Sequence, residues 1–252
     1  MLPKALLKEI AAKLGVGGFR LQGRYVQDGL ITLHRDHFRA DPAFRAAYER
    51  GRLASSGFDP EFEWRVHVAL WAARTALRVD GDFAECGVNA GFISSAIMQA
   101  LKWNTIGRRF HLIDTFAGPV LAQYSPEEVR KGRLTLARKA LEAGAYVTEM
   151  DRVRANFAEW ENAIVVQGPV PEILRKLDIG AVAFVHIDMN CALPERAAFD
   201  FFWDRLSPGG VMLFDDYAYY GHDEQRMSLD EAAELKGAHI LSMPTGQGLI
   251  VK

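Results

Sequence analysis

The stretch that decides the fold is FAECGVNAGFIS, residues 83–94. It opens as an apolar run, FAECG, interrupted only by Glu85. It then turns between Gly87 and Gly91 and continues as the helical pattern FISSAIMQALKW (92–103). A strand that bends sharply into a helix is the first half of a β-α-β unit. Glycine permits the positive φ and the close backbone approach that such a turn demands. The helix starting near Gly91 aims unpaired N–H groups back at the turn. The turn is therefore a small-molecule cradle with a carboxylate at its base.

The rest of the chain repeats this rhythm. FHLID (110–114), AIVVQG (163–168), AVAFVHID (181–188) and GGVMLFDD (209–216) read as strands. Helical patterns lie between and after them at 171–177, 194–206 and 224–237, and a charged, helical region with a break near Gly144 spans 126–161. Strands alternating with helices indicate a mainly parallel sheet covered on both faces. The tail AHILSMPTGQGLIVK gives two strands around a tight turn, so that pair is antiparallel. Ahead of the cradle, EFEWRVHVALWAARTALRV (61–79) spaces Trp64, His67, Val68, Trp71, Ala72 and Thr75 as one helical face, expected to pack on the sheet. Trp64, Trp71 and Trp203 are expected in the core or at a subunit contact. Residues 1–60 read as an appended cap with helices at 3–14 and 41–52, and 61–252 as the main domain.

Bulk composition narrows the classes. The chain has 252 residues, 49% of them hydrophobic, enough for one α/β domain with an appendage. Its 30 basic and 32 acidic residues give a net charge of −2, with no basic stripe of the kind that binds nucleic acid. No window approaches the roughly 20 apolar residues of a membrane helix, and no signal peptide is visible. Two cysteines, Cys86 and Cys191, make no disulfide framework, so a reducing cytoplasm is the expected compartment. The aromatic content of the N-terminal half is compatible with a homodimer.

Ligands of such sheets bind beyond the carboxyl ends of the strands. Those ends carry Glu85, Gly87, Asp114, Gln167, Gly168, Asp188, Asp215 and Asp216. A pyrophosphate site wants G-x-G-x-x-G; here the spacing is G-x-x-x-G after a carboxylate, which argues against a nicotinamide oxidoreductase. A carboxylate repels phosphate and suits an ammonium or sulfonium, while the helix N-terminus suits a carboxylate. The methionyl end of S-adenosylmethionine carries both groups. Asp114 can accept both hydroxyls of a ribose, in either cofactor. The candidate cofactor contacts are Glu85, Gly87, Asn89, Gly91, Asp114, Thr115, Gln167, Gly168 and Asp188. Phe58, Phe62 and Arg65 can reach the same mouth, and so can Tyr124 and Arg130.

HIDMN (186–190) and FDDYAYYGHDEQ (214–225) bring Asp188, Asp215 and Asp216 to adjacent strand ends, about 4.8 Å apart. Three carboxylates without a counter-ion repel, and a divalent cation relieves the repulsion. Oxygen-only ligands favour Mg²⁺. The alternative is that the aspartates cap the turns and helix that follow them. One thiol, Cys191, among carboxylates does not make a zinc set.

Taken together, ECGVNAG, HLIDTFAG, HIDMNCALPE, LSPGGVMLFDDY and PTGQGLIVK resemble the macrocin O-methyltransferase family over roughly residues 60–252. Those are class I S-adenosylmethionine-dependent enzymes that methylate sugar hydroxyls. The resemblance implies an α/β fold with a doubly wound, seven-stranded, mainly parallel sheet, an N-terminal helical cap and an antiparallel C-terminal strand pair. It implies Asp188, Asp215 and Asp216 as Mg²⁺ ligands and Glu85, Gly87 and Asp114 as cofactor contacts. The acceptor would be a small-molecule hydroxyl, on a sugar or glycoside; a catechol offers the same pair of oxygens. One position departs: where the family has a second aspartate as proposed base, this chain has Asn190, which cannot take up a proton at neutral pH. His222 is the candidate base in its place, and Glu195 a weaker one. Asn190 equally motivates a cofactor-binding homologue with altered or no methyl transfer.

Overall fold

The structure, a computed structural model, describes residues 25–252; the helix expected at 3–14 lies outside them. The described chain opens with a hairpin. β1 (Tyr25–Gln27) and β2 (Leu30–Thr32) pair antiparallel around Asp28 and Gly29. Both turn residues have positive φ, +49° and +72°, as a two-residue turn between twisted strands requires. The described part of the appended segment is thus part hairpin and part helix. A single 3₁₀ turn, His37–Ala40, leads into α1 (Pro42–Ala54), whose N-terminus is capped by Asp41 accepting from the N–H of Ala43.

α2 (Glu63–Ala76) packs on the sheet, but not with the face its tryptophans suggest. The stripe Val66, Ala69, Leu70, Ala73 and Ala76 is buried. Small side chains there let the helix approach the strands closely. Trp64 and His67 face the other way, onto Phe38: His67 stacks on that ring at 4.1 Å and Trp64 meets it edge-on at 4.7 Å. Trp71 is 53% exposed, so of the two places expected for it, core or subunit contact, the core is excluded. Two different stripes of one helix are covered, one by the sheet and one by the appended segment, and a single periodicity cannot report both.

The sheet follows. β3 (Asp82–Cys86), β4 (Phe110–Asp114), β5 (Ala163–Gln167), β6 (Val182–Ile187) and β7 (Leu206–Phe214) run parallel; β8 (Leu241–Ser242) and β9 (Gly248–Val251) form the antiparallel edge. The order is β5-β4-β3-β6-β7-β9-β8. Strands buried on both faces read as continuous apolar runs, which is why these were visible in the sequence. Phe83, Phe184, Val211 and Leu213 point to one face, under α1, α2 and α3 (Phe92–Leu101). Ala84, Val185, Ile187, Met212 and Phe214 point to the other, under α7 (Ala192–Trp203) and α8 (Asp223–Leu235). Trp203 is buried there, on Phe199. The charged region 126–161 contains α4 (Pro126–Arg130), α5 (Arg133–Glu142) and α6 (Met150–Phe157). The break expected near Gly144 falls in the loop 143–149. Strand order reverses between β3 and β6, and that switch point opens a crevice at the carboxyl ends of the strands.

Candidate active site

At the switch point the chain leaves β3 through Gly87 and β6 through Asp188. The two exits touch: a Cβ on Gly87 would lie 1.7 Å from the carbonyl oxygen of Asp188, and Gly87 has φ +91°. Gly87 is dictated by the neighbouring main chain. Gly91, φ +86°, is dictated by packing, since a Cβ there would lie 2.5 Å from the ring of Phe157 on α6. Between them Asn89 spends its side chain on the protein. Its Nδ2 donates to the carbonyl of Ala145 at 3.1 Å and its Oδ1 accepts from the N–H of Val147 at 2.8 Å. Asn89 thereby ties the loop 143–149 over the crevice.

The crevice has two adjoining hollows that share Gly87, Asn89 and Asp188. One is walled by Asp114, Thr115, Tyr146, Gly168 and Asn190, the other by Glu85, Phe58, Phe62 and Asp215. Asp114 accepts from the N–H groups of Asn89 (2.8 Å) and Phe116 (2.7 Å), which fix its carboxylate at the rim. The Thr115 hydroxyl donates to the Gly118 carbonyl. Gln167 lies outside both linings, with its amide donating to the carbonyl of Thr115; Gly168 lines the first hollow. Arg130 is exposed and paired with Glu127, whereas Tyr124 is buried behind the rim.

Asp188, Asp215 and Asp216 converge: one carboxylate oxygen of each lies within 4.8 Å of the others. Their charge is not left bare, as the sequence reading assumed. Arg65 of α2 donates through Nη1 to Asp215 Oδ2 at 2.5 Å and Asp216 Oδ1 at 3.0 Å, and through Nε to Asp28 Oδ2 at 2.5 Å. His186, buried on β6, sits directly across from Glu85 in the β3–β6 register. Its Nδ1 is 2.8 Å from Glu85 Oε1, and its Nε2 is 3.7 Å from Asp215 Oδ1. Burial alone would lower the His186 pKa, but the hydrogen bond to Glu85 and the charges of Glu85 and Asp215 raise it to about 10, which favours the charged ring. Burial would raise Asp215, yet Arg65 and His186 hold it well below the usual carboxylate range. Asp188 is different. Among the described residues it has no ion-pair partner; its Oδ1 accepts only from the Asn190 amide at 3.0 Å. Burial and the two neighbouring aspartates push its pKa well up. Hard oxygen donors this close, one of them short of a positive partner, fit a divalent cation such as Mg²⁺. No cysteine belongs to the cluster.

Around it stand the candidate bases. His222, at the start of α8, is buried, with Nδ1 3.7 Å from Asp216 Oδ2 and 3.4 Å from Arg133 Nη2. It is an inward group, although its neighbour Tyr220 is fully out in solvent. Burial lowers the His222 pKa; the charge of Asp216 opposes this and that of Arg133 adds to it, and the net direction is down, which favours the neutral ring. Asn190, φ +57°, points its amide donor at Asp188. Glu195 is buried, and its Oε1 accepts from the N–H groups of Met189 and Asn190 and from Gln225. Burial lifts its pKa to about 8 against the pull of those three donors, and its Oε1 is already committed to holding the strand exit. Sequence reasoning missed His186 and Asp28. A histidine alone in the apolar run AVAFVHID, two positions before Asp188, and an Asp-Gly pair between short alternating runs were the available signals.

A family model described as a methyltransferase domain matches residues 84–217, from the cradle through both aspartate motifs. The chain belongs to the methyltransferase domain family. A curated relative of this methyltransferase, the 8-demethyl-8-(2,3-dimethoxy-α-L-rhamnosyl)-tetracenomycin-C 4′-O-methyltransferase of Streptomyces olivaceus, is 29% identical over 147 residues. The match covers 56% of this chain and 54% of the relative, so it spans about half of that protein's length. Two solved structures share the fold. The O-methyltransferase NovP superposes with a TM-score of 0.62 at 17% identity, over 75% of this chain and 79% of NovP. The calicheamicin methyltransferase CalS11 gives 0.55 at 17% identity, over 84% and 93%. The doubly wound, seven-stranded class I methyltransferase fold expected from the sequence is the fold observed.

Proposed function

We propose that this protein is an S-adenosylmethionine-dependent O-methyltransferase, assisted by Mg²⁺, acting on a hydroxyl of a sugar or glycosylated small molecule. One observation carries the proposal: the Asp188, Asp215 and Asp216 carboxylates meet beside a crevice whose other rim is Glu85 and Asp114. S-Adenosylmethionine, when bound, supplies an electrophilic methyl on a good leaving group. The two hollows suit its two halves. Asp114, fixed by two N–H donors, keeps lone pairs for a ribose. Glu85 is buried with its Oε2 free of any partner among the described residues, ready for an ammonium. The aspartates would hold Mg²⁺, whose contribution is to lower the pKa of an acceptor hydroxyl and fix its line of approach. His222, kept neutral by burial, would take the proton. The tetracenomycin relative, a 4′-O-methyltransferase of a rhamnosylated compound, supports a sugar over a catechol.

Calorimetry with S-adenosylhomocysteine and with NAD, followed by methyl transfer to nucleotide sugars and catechols with and without chelator, tests this. Tight S-adenosylhomocysteine binding and chelator-sensitive transfer to a sugar are expected. Binding of NAD alone, or transfer indifferent to chelator, would overturn the cofactor and the metal respectively. The Asn190 amide favours a second reading, a cofactor-binding homologue without transfer; cofactor binding with no acceptor found would support it. A homodimer in a reducing cytoplasm completes the proposal, with the free thiols Cys86 and Cys191 and the exposed Trp71 as its support.

A further inference from the structure

We propose that Arg65 is a built-in cation that competes with the divalent ion for Asp215 and Asp216, and that Asp28 on the β1–β2 hairpin is the acceptor to which it withdraws. Cation binding and seating of the hairpin are then one coupled equilibrium. This rests on the metal reading of the previous section.

The guanidinium lies between two sets of carboxylates. Nη1 serves Asp215 and Asp216, while Nε and Nη2 face Asp28 Oδ2 and Oδ1 at 2.5 and 3.4 Å. The side chain is 6% exposed, so it has no solvent route by which to leave its charge unpaired. It lies over the Tyr219 ring, 4.9 Å from the centroid, a flat surface along which a planar fork can shift. Tyr219 also lies beside the hairpin turn, since a Cβ on Gly29 would lie 3.3 Å from its hydroxyl oxygen. Asp28 is held at the tip of the hairpin turn by its own positive φ. The hairpin is further anchored to α2, with the Tyr25 hydroxyl donating to Glu63 Oε2 at 3.1 Å.

A divalent ion on Asp215 and Asp216 sets like charges a few ångströms apart and pushes the guanidinium away. Asp28 receives it only while the hairpin is seated. The coupling is reciprocal: a seated hairpin tightens cation binding, and a bound cation tightens the hairpin. Arg65 is in this sense a positioning residue, acting on the acceptor site through the cation and the hairpin.

The test is titration of Mn²⁺, followed by loss of its free electron paramagnetic resonance signal, into wild type, Arg65→Met, Arg65→Gln, Asp28→Asn and Asp216→Asn. Removing Arg65 is expected to tighten Mn²⁺ about tenfold and Asp28→Asn to weaken it about tenfold. Amide exchange over 25–32 should slow on adding Mn²⁺ to wild type and stay unchanged in Asp28→Asn. A merely structural Arg65 would weaken binding in both kinds of variant, and that result overturns the proposal. Should Arg65→Met fail to fold, Arg65→Gln and Asp28→Asn decide. If Mn²⁺ binds wild type and not Asp216→Asn while the Arg65 variants match wild type, only this inference falls. If no protein in the set binds Mn²⁺, the metal reading falls with it.

Discussion

Glu85 and His186 are the residues on which the centre of the sheet depends electrostatically. They face each other across two parallel strands, both buried, and Glu85 Oε1 pairs with His186 Nδ1 at 2.8 Å while Oε2 keeps its lone pairs. A buried charge that loses its partner is costly, roughly 3–5 kcal/mol. Glu85→Gln is therefore expected to lower unfolding stability by about that amount in urea titrations. The pH dependence has a definite sign. In the unfolded chain His186 titrates near 6.5, whereas the fold raises it to about 10. The proton is thus bound more tightly in the folded state, and its stabilisation is complete below 6.5 and lost as pH rises through about 10. Wild-type stability should fall across that window and the Glu85→Gln profile should be flatter; parallel profiles would refute the ion pair. Gly87 makes a second test at this scale. Gly87→Ala meets both a forbidden φ and the Asp188 carbonyl, so it should fail to accumulate as folded protein. Gly107→Ala, with φ +71° and open space, should cost only about 1–2 kcal/mol.

Among the elements, the loop 143–149 depends on one side chain. Asn89→Ala removes both of its hydrogen bonds to the loop, each worth about 1 kcal/mol. Faster amide exchange at Val147 is expected, with S-adenosylhomocysteine affinity reduced about tenfold in calorimetry; an unchanged exchange rate at Val147 would show that the loop is held elsewhere. The strands and helices were largely legible because period and punctuation are local properties. FHLID was read as 110–114, the bounds of β4, and AIVVQG as 163–168, one residue beyond β5. What local pattern cannot carry is the partner. Asn89 lines both hollows, where a cofactor contact is expected, but its bonds to residues more than 50 positions on are visible only in the fold. The face of α2 was misjudged for a related reason, since bulky Trp71 outweighs small Ala69 and Ala73 in any hydrophobic reading, yet the sheet needs the small ones. The hairpin β1–β2 was passed over because three-residue strands barely alternate.

For the molecule as a whole, the reversal of strand order gathers charges from distant parts of the chain into one crevice. Arg65 meets Asp215 across 150 residues of sequence, and the apparent need for a counter-ion was overstated for lack of that contact. The cluster nevertheless stays incompletely neutralised, because Arg65 and His186 serve Asp215 and Asp216 more than Asp188. A folded state with an unmatched acidic site binds a divalent ion that the unfolded chain does not, and such binding must raise stability. At a hundred times its Kd the ion adds about 2.7 kcal/mol. For a chain of this size that is a rise in Tm of about 5–10 °C. Mg²⁺ is expected to produce this shift in wild type and a much smaller one in Asp216→Asn, whose S-adenosylhomocysteine affinity should change little because Asp216 lines neither hollow. Na⁺ at matched ionic strength should not reproduce it, since screening acts on every surface charge and leaves the variant and wild type equal. Equal shifts from Mg²⁺ in the two proteins would mean that the three aspartates are satisfied by Arg65 and His186 alone, and that any methyl transfer proceeds without a metal.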